Sequence, residues 1–216
     1  MISGVDEIRQ PYLARLADMQ LRYLPDSLVS MFGRQYAQSF YRYVARSSRE
    51  LLVVLKDGDL IAAGCVLSLT PDTLSRRLVF GTPFVLWAPV GAARIVVRRL
   101  SGASDQSRVS AEHVASGSRA GFDLELRASP EVIYIFVDSG SRNRGLGSNL
   151  LISCENYLSE HGFDRYIVNT WGDNANPTPR FYLRNGFATC GRSVVRGVPM
   201  QTMEKILVAR PNAQKQ

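Results

Sequence analysis

The feature that most constrains the fold is an apolar strand followed by a glycine- and arginine-rich loop and an amphipathic helix. The run Val132–Val137 has the character of a central strand that is covered on both faces. Apolar residues then recur at helical spacing from Leu146 to Leu158, and Gly162 follows at a position typical of a helix end. A second strand is predicted to begin at Tyr166. A strand, a helix and a strand in this order predict a parallel pair, and therefore an α/β fold.

Helices precede this unit, and a hairpin joins them to it. Pro11 is suited to the first turn of a helix. From Leu28 to Val44 apolar residues recur every four positions, which predicts one long amphipathic helix with Asp26 or Ser27 as its cap. Two β-rich runs within residues 51–69 flank an Asp-Gly turn and predict a hairpin. The whole pattern predicts a mixed central β-sheet that is flanked by helices.

The segment 70–127 interrupts this pattern and is interpreted as a helical and loop insertion. Residues 82–100 are apolar with a basic end, and residues 101–121 are rich in Ser, Ala and Gly. A loop of this length is usually functional or disordered. We therefore expect one domain over residues 1–208, with the insertion as an acceptor-binding or lid region, and a flexible tail over residues 209–216.

The charge of the chain indicates an anionic partner. Its 216 residues include 26 Lys and Arg and 19 Asp and Glu, which gives a net charge of +7. A phosphorylated cofactor or substrate, an acidic membrane surface and nucleic acid would each satisfy this balance. The basic residues are scattered without interleaved aromatic residues, so nucleic acid is not expected. No secretory leader and no apolar run of spanning length is recognised, which predicts a cytoplasmic protein.

Cysteine and histidine usage argues against disulfides and against a metal site. The three cysteines, Cys65, Cys154 and Cys190, are widely spaced and lie in apolar runs, which predicts buried thiols in a reducing compartment. The two histidines, His113 and His161, share no motif. No metal is therefore expected.

The loop after the first strand has the composition of an anion-binding site. Free backbone N–H groups and the dipole at a helix N-terminus attract an anion. Gly145 and Gly147 would let a phosphate approach the backbone closely, and Arg142 and Arg144 add positive charge. The spacing is neither that of a P-loop nor Gly-x-Gly-x-x-Gly. The alternative is an ordinary glycine-rich turn between a strand and a helix.

Two segments in order resemble the GCN5-related N-acetyltransferases, the GNAT superfamily. Arg142–Gly147, with the sequence Arg-Asn-Arg-Gly-Leu-Gly, matches the family motif Arg/Gln-x-x-Gly-x-Gly/Ala. Phe181–Phe187 matches the ending aromatic-Tyr-x-x-x-Gly-Phe of the second motif. The Asn of that motif is either Asn174, eight residues before Tyr182 where seven is usual, or Asn176. The resemblance covers residues 128–208 well and implies a GNAT-type fold.

The resemblance implies that acetyl-CoA is bound as a co-substrate. Its pyrophosphate would lie on the loop and the first helical turn, formed by Arg142, Asn143, Arg144, Gly145, Leu146, Gly147 and Ser148. The pantetheine arm would pair like an extra strand with the backbone of Ile135, Phe136 and Val137, and Asn174 would also contact the cofactor. The first strand should splay from the one near residues 166–170 and open a slot for the thioester.

The resemblance also implies direct acetyl transfer in a ternary complex. An amine attacks the acetyl carbonyl, a backbone N–H steadies the oxyanion, and a Tyr protonates the leaving thiolate. Tyr182 matches that Tyr, and its alternative role is aromatic packing. Glu131 occupies a position where relatives often carry a Glu that serves as base through water, and Asp138 is the second choice. Either carboxylate could instead be a solvated charge at a strand end.

The acceptor is expected to be a primary amine, and the amine of a nucleotide-linked amino sugar is the favoured candidate. Basic residues of the insertion could meet its diphosphate, the alternative being a solvated helix face: Arg76, Arg77, Arg94, Arg98 and Arg99. The same basic helix could rest on an anionic membrane or pack against a second subunit in a homodimer. Other functions left open are acetylation of a peptide or another small amine, and a catalytically silent acyl-CoA-binding regulatory module.

Overall fold

One mixed sheet organises the part of the chain that the computed structural model describes, residues 10–25, 27–81, 128–172, 176–195 and 198–207. Its strands are β1 (Glu50–Asp57), β2 (Leu60–Ser68), β3 (Glu131–Val137), β4 (Arg165–Trp171), β5 (Ala188–Val195) and β6 (Val198–Ile206). They lie in the order β1-β2-β3-β4-β6-β5. Neighbours are antiparallel except β3 and β4, which are parallel. The predicted mixed sheet with a parallel pair is confirmed.

Helices cover both faces of this sheet. They are α1 (Gln10–Tyr23), α2 (Leu28–Met31), α3 (Arg34–Arg46), α4 (Pro71–Gly81), α5 (Leu146–Glu160) and α6 (Pro177–Arg184), with a 3₁₀ turn at Ser139–Ser141. On one face α1 and α3 bury an aromatic core that includes Phe40, Tyr134 and Phe136. On the other face α5 and α6 bury a second core that includes Leu150 and Tyr182. The helices α1, α3, α5 and α6 pack apolar residues against the sheet, as an α/β fold requires.

The long helix predicted over residues 28–44 is wrong in one respect, because the chain forms two helices there. Gly33 has a φ of 90°, which a helix cannot contain, and it separates α2 from α3. Phe32 and Tyr36 still face the same core, so the four-residue spacing survives the break. Ser27 is the cap of α2, where its hydroxyl accepts a hydrogen bond of 3.2 Å from the Ser30 N–H.

The insertion predicted from residue 70 begins with α4, and residues 82–127 lie outside the described residues, as do Arg94, Arg98 and Arg99. Arg77 is not free to meet a substrate diphosphate. Its guanidinium forms an ion pair with Glu50, whose side chain is fully buried, and donates to Thr70 at 2.9 Å. Arg76 is exposed. The pair fastens α4 to the start of β1.

The cysteines divide into a buried pair and one exposed residue. Cys65 and Cys154 are buried with their sulfur atoms 3.7 Å apart, between β2 and α5. The expectation for Cys190 is wrong, because its side chain is exposed on β5, an edge strand of the sheet. Across the described ranges, none of the helices combines the length and apolar character needed to cross a membrane.

Candidate active site

The candidate site begins where β3 and β4 stop pairing. Across from β2, Tyr134 faces Val66 and Val132 faces Leu67, so Ile133 is an extra residue and forms a β-bulge. The parallel ladder between β3 and β4 ends at Val132, the residue before the bulge. A bulge bends its strand and increases the local twist, so the two strands diverge beyond this point. The predicted splay of the two strands is confirmed.

A cleft of about 300 Å³ lies between the diverging strands. The three residues that were predicted to pair with the pantetheine arm, Ile135, Phe136 and Val137, line it. Arg142 from the following loop and Tyr182 from α6 line it as well. The fold thus brings the predicted cofactor strand, one cation of the predicted phosphate loop and the predicted catalytic Tyr to a single cleft.

The loop after β3 leads into the N-terminus of α5. Gly145 precedes α5 in the left-handed conformation with a φ of 76°, and a Cβ added there would meet nothing within 4 Å. Helical bonding starts with the hydrogen bond of 3.0 Å from the Asn149 N–H to the Gly145 carbonyl. The N–H groups of Leu146, Gly147 and Ser148 precede that bond and are available to an anion. These groups fit a diphosphate such as that of coenzyme A.

The two arginines of the loop have different partners. Arg142 donates from Nε to the Val137 carbonyl at 3.4 Å, and its guanidinium lies 5.2 Å from the centre of the Tyr23 ring. Arg144 forms an ion pair with Asp57 at the end of β1, and the hydrogen bond that it donates to this carboxylate raises the pKa of Arg144 above its ordinary value. Arg142 therefore places its charge at the cleft, while the charge of Arg144 is shared with Asp57.

Backbone conformation and packing explain two further positions of the loop. Asn143 has a φ of 61°, a left-handed conformation that Asn tolerates better than most residues. A Cβ at Gly147 would lie 3.0 Å from Cε2 of Phe181, so this glycine permits close packing of α5 against α6.

Tyr182 lies on α6 with its ring fixed between aromatic neighbours. Its ring centroid is 5.1 Å from that of Phe181 and 5.2 Å from that of Phe187, both in edge-to-face geometry. Burial raises the pKa of Tyr182 well above its ordinary value, so the hydroxyl stays protonated. Asn176 caps α6 by accepting a hydrogen bond of 2.9 Å from the Thr178 N–H, and Asn174 lies outside the described residues.

Glu131 is buried at the start of β3 and does not itself line the cleft. Its Oε1 accepts a hydrogen bond of 2.7 Å from Nδ2 of Asn169, which does line the cleft. Oδ1 of the same Asn169 amide accepts a hydrogen bond of 2.5 Å from the Thr202 hydroxyl. The carboxylate predicted as a base therefore reaches the cleft through an amide side chain.

Asp138 is engaged in contacts that do not suit a base. It accepts a hydrogen bond of 2.8 Å from the Tyr23 hydroxyl and one of 3.1 Å from Arg15. The hydrogen bond from Tyr23, followed by that from the Gly140 N–H and the charge of Arg15, lowers the pKa of Asp138 below its ordinary value. A carboxylate with a lowered pKa is a weaker proton acceptor, and this one caps the 3₁₀ turn.

The cleft also has walls that sequence reasoning did not assign to it. They come from the junction of α1 and α2, from the end of β4 and from β6, and include Tyr23, Ser27, Thr170, Trp171 and Met200. Tyr23 is the last residue of α1, and no local motif distinguishes it. A sequence signal was available for Trp171, because an aromatic residue at the end of the strand beside the predicted slot is suited to line it.

The diverging parallel strands, the helix N-terminus beside them and the buried Tyr182 are the features expected of an acyl-CoA-dependent acyltransferase. A family model described as an acetyltransferase (GNAT) domain matches residues 98–207, just over half of the chain. The chain belongs to the GNAT acetyltransferase family, which confirms the resemblance, and it is an acyl-CoA-dependent N-acyltransferase. None of the curated proteins matches it.

Solved structures share the fold of this chain at low sequence identity. An aminoglycoside 6'-N-acetyltransferase complexed with coenzyme A is 13% identical, with a TM-score of 0.59 over 98% of this chain and 100% of that one. A structure named only as an acetyltransferase is 18% identical, with a TM-score of 0.57 over 93% and 97%. The ribosomal-protein-S18-alanine N-acetyltransferase from Escherichia coli is 13% identical, with a TM-score of 0.53 over 96% of each chain.

Proposed function

We propose that this protein transfers the acetyl group of acetyl-CoA to the primary amine of a nucleotide-linked amino sugar. The observation that carries the proposal is the cleft between β3 and β4, which has Tyr182 in its wall and Arg142 beside the N-terminus of α5. A diphosphate on that helix terminus and a thioester in the cleft are compatible with this layout. The transfer is direct, with acceptor and acetyl-CoA bound together.

The residues that would hold acetyl-CoA are those of the loop, the first turn of α5 and β3. The N–H groups of Leu146, Gly147 and Ser148 would bind the diphosphate, and Arg142 would add its charge. The strand edge beyond Val132 faces the cleft and would accept the extended arm. Bound acetyl-CoA supplies a thioester that is activated toward attack by an amine.

Tyr182 supplies a proton donor at its hydroxyl oxygen. Because burial raises its pKa, the hydroxyl keeps its proton at neutral pH and can donate a hydrogen bond, or the proton itself, to a thiolate. Phe181 and Phe187 hold the ring in place. A donor that is already oriented stabilises charge without reorganising as that charge develops.

The chemistry of the cleft favours an acceptor that is not a polycation. Among the described residues that line it, the charged side chain is that of Arg142, and the polar ones are neutral, with Ser27, Asn169, Thr170 and Thr178 among them. The aromatic faces of Tyr23 and Trp171 suit a sugar or nucleobase. An aminoglycoside carries several ammonium groups and would meet no carboxylate on these residues. The hydroxyl groups and ring of an amino sugar suit these neutral polar groups and aromatic faces instead.

A low pKa of the acceptor amine would make a strong base unnecessary. Glu131, which the resemblance suggests as base, would act only through groups that intervene between it and the cleft. An amine that is partly uncharged at neutral pH attacks without losing a proton first.

Calorimetric titration with acetyl-CoA, followed by an assay of thiol release, tests the proposal. The acceptors are a nucleotide-linked amino sugar, the same amino sugar without the nucleotide, an aminoglycoside and a peptide with a free N-terminus. We expect micromolar binding of acetyl-CoA and the highest kcat/KM with the nucleotide-linked sugar. A preference for the aminoglycoside or the peptide would overturn the acceptor. Failure to bind acetyl-CoA would overturn the assignment of the phosphate loop.

A further inference from the structure

We propose that Asn169 recognises the acceptor, through a hydroxyl group next to the reacting amine, and that Glu131 and Thr202 are the positioning residues that hold its amide. The proposal rests on the acetyltransferase function above and deepens it by naming a feature of the acceptor. It assigns Glu131 a positioning role in place of the base role that the resemblance implies.

The two hydrogen bonds of Asn169 fix the orientation of its amide. A carboxylate accepts hydrogen bonds and does not donate them, so the atom 2.7 Å from Glu131 Oε1 is the amide nitrogen. The opposite end is then the amide oxygen, which accepts the 2.5 Å hydrogen bond from the Thr202 hydroxyl. An amide held at both ends cannot flip, so it presents the same face to any ligand.

The position of Asn169 places this amide at the opening between the strands. The last pair of the parallel ladder joins Val132 to Val168, and Asn169 is the next residue of β4. In the ladder between β4 and β6, Asn169 lies directly across from Thr202, so the two side chains share one face of the sheet. Asn169 lines the cleft. Glu131 belongs to the part of β3 that still pairs with β4, and it contacts the Asn169 amide from there.

The amide retains hydrogen-bonding capacity for a ligand. An Asn side chain has two N–H donors and two oxygen lone pairs. Glu131 uses one donor and Thr202 uses one lone pair, so the amide keeps one donor and one acceptor for a ligand. A hydroxyl group is also both a donor and an acceptor and can use both at once. A simple alkylamine that reacts through its lone pair has no acceptor left for the amide donor.

The remaining donor and acceptor of Asn169 predict the class of acceptor. An amine with a neighbouring hydroxyl, as in an amino sugar, pairs the remaining donor and acceptor of Asn169. An analogue without that hydroxyl leaves them unpaired inside the cleft. Sites that hydrogen-bond a substrate hydroxyl discriminate strongly against the analogue that lacks it, because desolvated polar groups are left without partners.

The test compares two acceptors that differ only in the hydroxyl next to the amine, with acetyl-CoA saturating. In the wild-type protein we expect kcat/KM to favour the hydroxyl-bearing acceptor. Asn169→Ala should lower kcat/KM for that acceptor by roughly 10- to 100-fold and should change it by less than about threefold for the analogue. The dissociation constant of acetyl-CoA, measured by calorimetry, should stay within about twofold and serves as the control for folding.

Three further variants isolate the positioning roles of Thr202 and Glu131. Thr202→Val keeps the shape of the side chain and removes the hydroxyl that holds the amide, so it should reproduce part of the loss for the hydroxyl-bearing acceptor. Thr202→Ser keeps the hydroxyl and should retain wild-type discrimination. Glu131→Gln keeps an oxygen that can accept from Asn169, so the pH profile of kcat/KM should keep its wild-type shape.

The outcomes separate this inference from the proposed function. An equal loss for both acceptors in Asn169→Ala, or no loss for either, would overturn the recognition role. Loss of the acidic limb of the pH profile of kcat/KM in Glu131→Gln, the limb on which protonation inactivates a general base, would return Glu131 to the role of base and overturn its positioning role. If the wild-type protein transfers acetyl to no amine at all, the function itself fails, and the variants are not needed to show it.

Discussion

The hydroxyl of Tyr23 donates a hydrogen bond of 2.8 Å to the carboxylate of Asp138, and it accepts one of 2.8 Å from the Ser139 N–H. These contacts join the end of α1, which forms a wall of the cleft, to the loop that leads into α5, where the phosphate site is proposed. The ring of Tyr23 also lies near the guanidinium of Arg142. One side chain thus connects the element that borders the acceptor space with the loop that would bind the cofactor.

Tyr23→Phe should destabilise the protein by about 1 kcal/mol at neutral pH, which corresponds to roughly 2–4 °C in Tm. The hydrogen bond from Tyr23 lowers the pKa of Asp138, so its stabilising effect is present above the ordinary pKa of Asp and is lost as the pH falls through the lowered value. The difference in Tm between wild type and variant should therefore shrink below about pH 4. Thermal unfolding from pH 7 to pH 3 measures it, and a constant difference would contradict the assignment to Asp138.

Gly147→Ala should be destabilising, although Ala normally stabilises a helix relative to Gly by about 1 kcal/mol. The added Cβ would lie 3.0 Å from the Phe181 ring, and overpacking of this kind costs about 1–3 kcal/mol. Combining Gly147→Ala with Phe181→Leu should recover most of the lost stability, as measured by chemical denaturation. A stable Gly147→Ala variant with weakened binding of acetyl-CoA would instead show that this glycine serves the phosphate.

Tyr182→Phe should lower kcat by about 100-fold or more and leave the dissociation constant of acetyl-CoA within about twofold. The variant removes the proton donor but keeps the ring that packs against Phe181 and Phe187, so Tm should change little. Steady-state kinetics and calorimetry measure the two effects separately. A normal kcat would remove Tyr182 from the chemistry and leave it a packing role.

Arg77→Gln should lower Tm by roughly 10 °C without changing the affinity for acetyl-CoA. It leaves the carboxylate of Glu50 buried without this ion pair, and breaking a buried pair costs about 3–5 kcal/mol. Arg76→Gln is the matched control, because the neighbouring side chain is exposed, and it should leave Tm unchanged. An unchanged Tm in Arg77→Gln together with a raised KM for the acceptor would support binding of a substrate diphosphate by Arg77.

Sequence reasoning succeeded where the physical signal is local. The strand of Val132–Val137, the loop of Arg142–Gly147 and the helix that follows are specified by apolar periodicity and by glycines within a short stretch of chain. It failed at Gly33, because a four-residue apolar spacing does not reveal a glycine whose φ of 90° breaks the helix. One continuous helix and two helices separated by Gly33 share the same four-residue apolar spacing, and only the backbone geometry distinguishes them.

Motifs predicted the cofactor role of the loop and the catalytic role of Tyr182. Arg142 of that loop and Tyr182 line the same cleft. The roles of Tyr23 and Asn169 could not be predicted in this way. Tyr23 contacts a residue 115 positions away along the chain, and Asn169 contacts partners 38 and 33 positions away. Contacts of this kind leave no periodic or local trace in one sequence.

The sequence by itself determined the fold class, the family and the strand-loop-helix unit that would bind the cofactor, because backbone preferences and glycine conformations act over a few neighbouring residues. Tertiary structure alone decided which charges face the cleft. It paired Arg144 with Asp57 and Arg77 with Glu50, and it held Asn169 between Glu131 and Thr202. The physical reason is that a charge or amide acts according to its nearest partner, and packing brings that partner from a distant part of the chain.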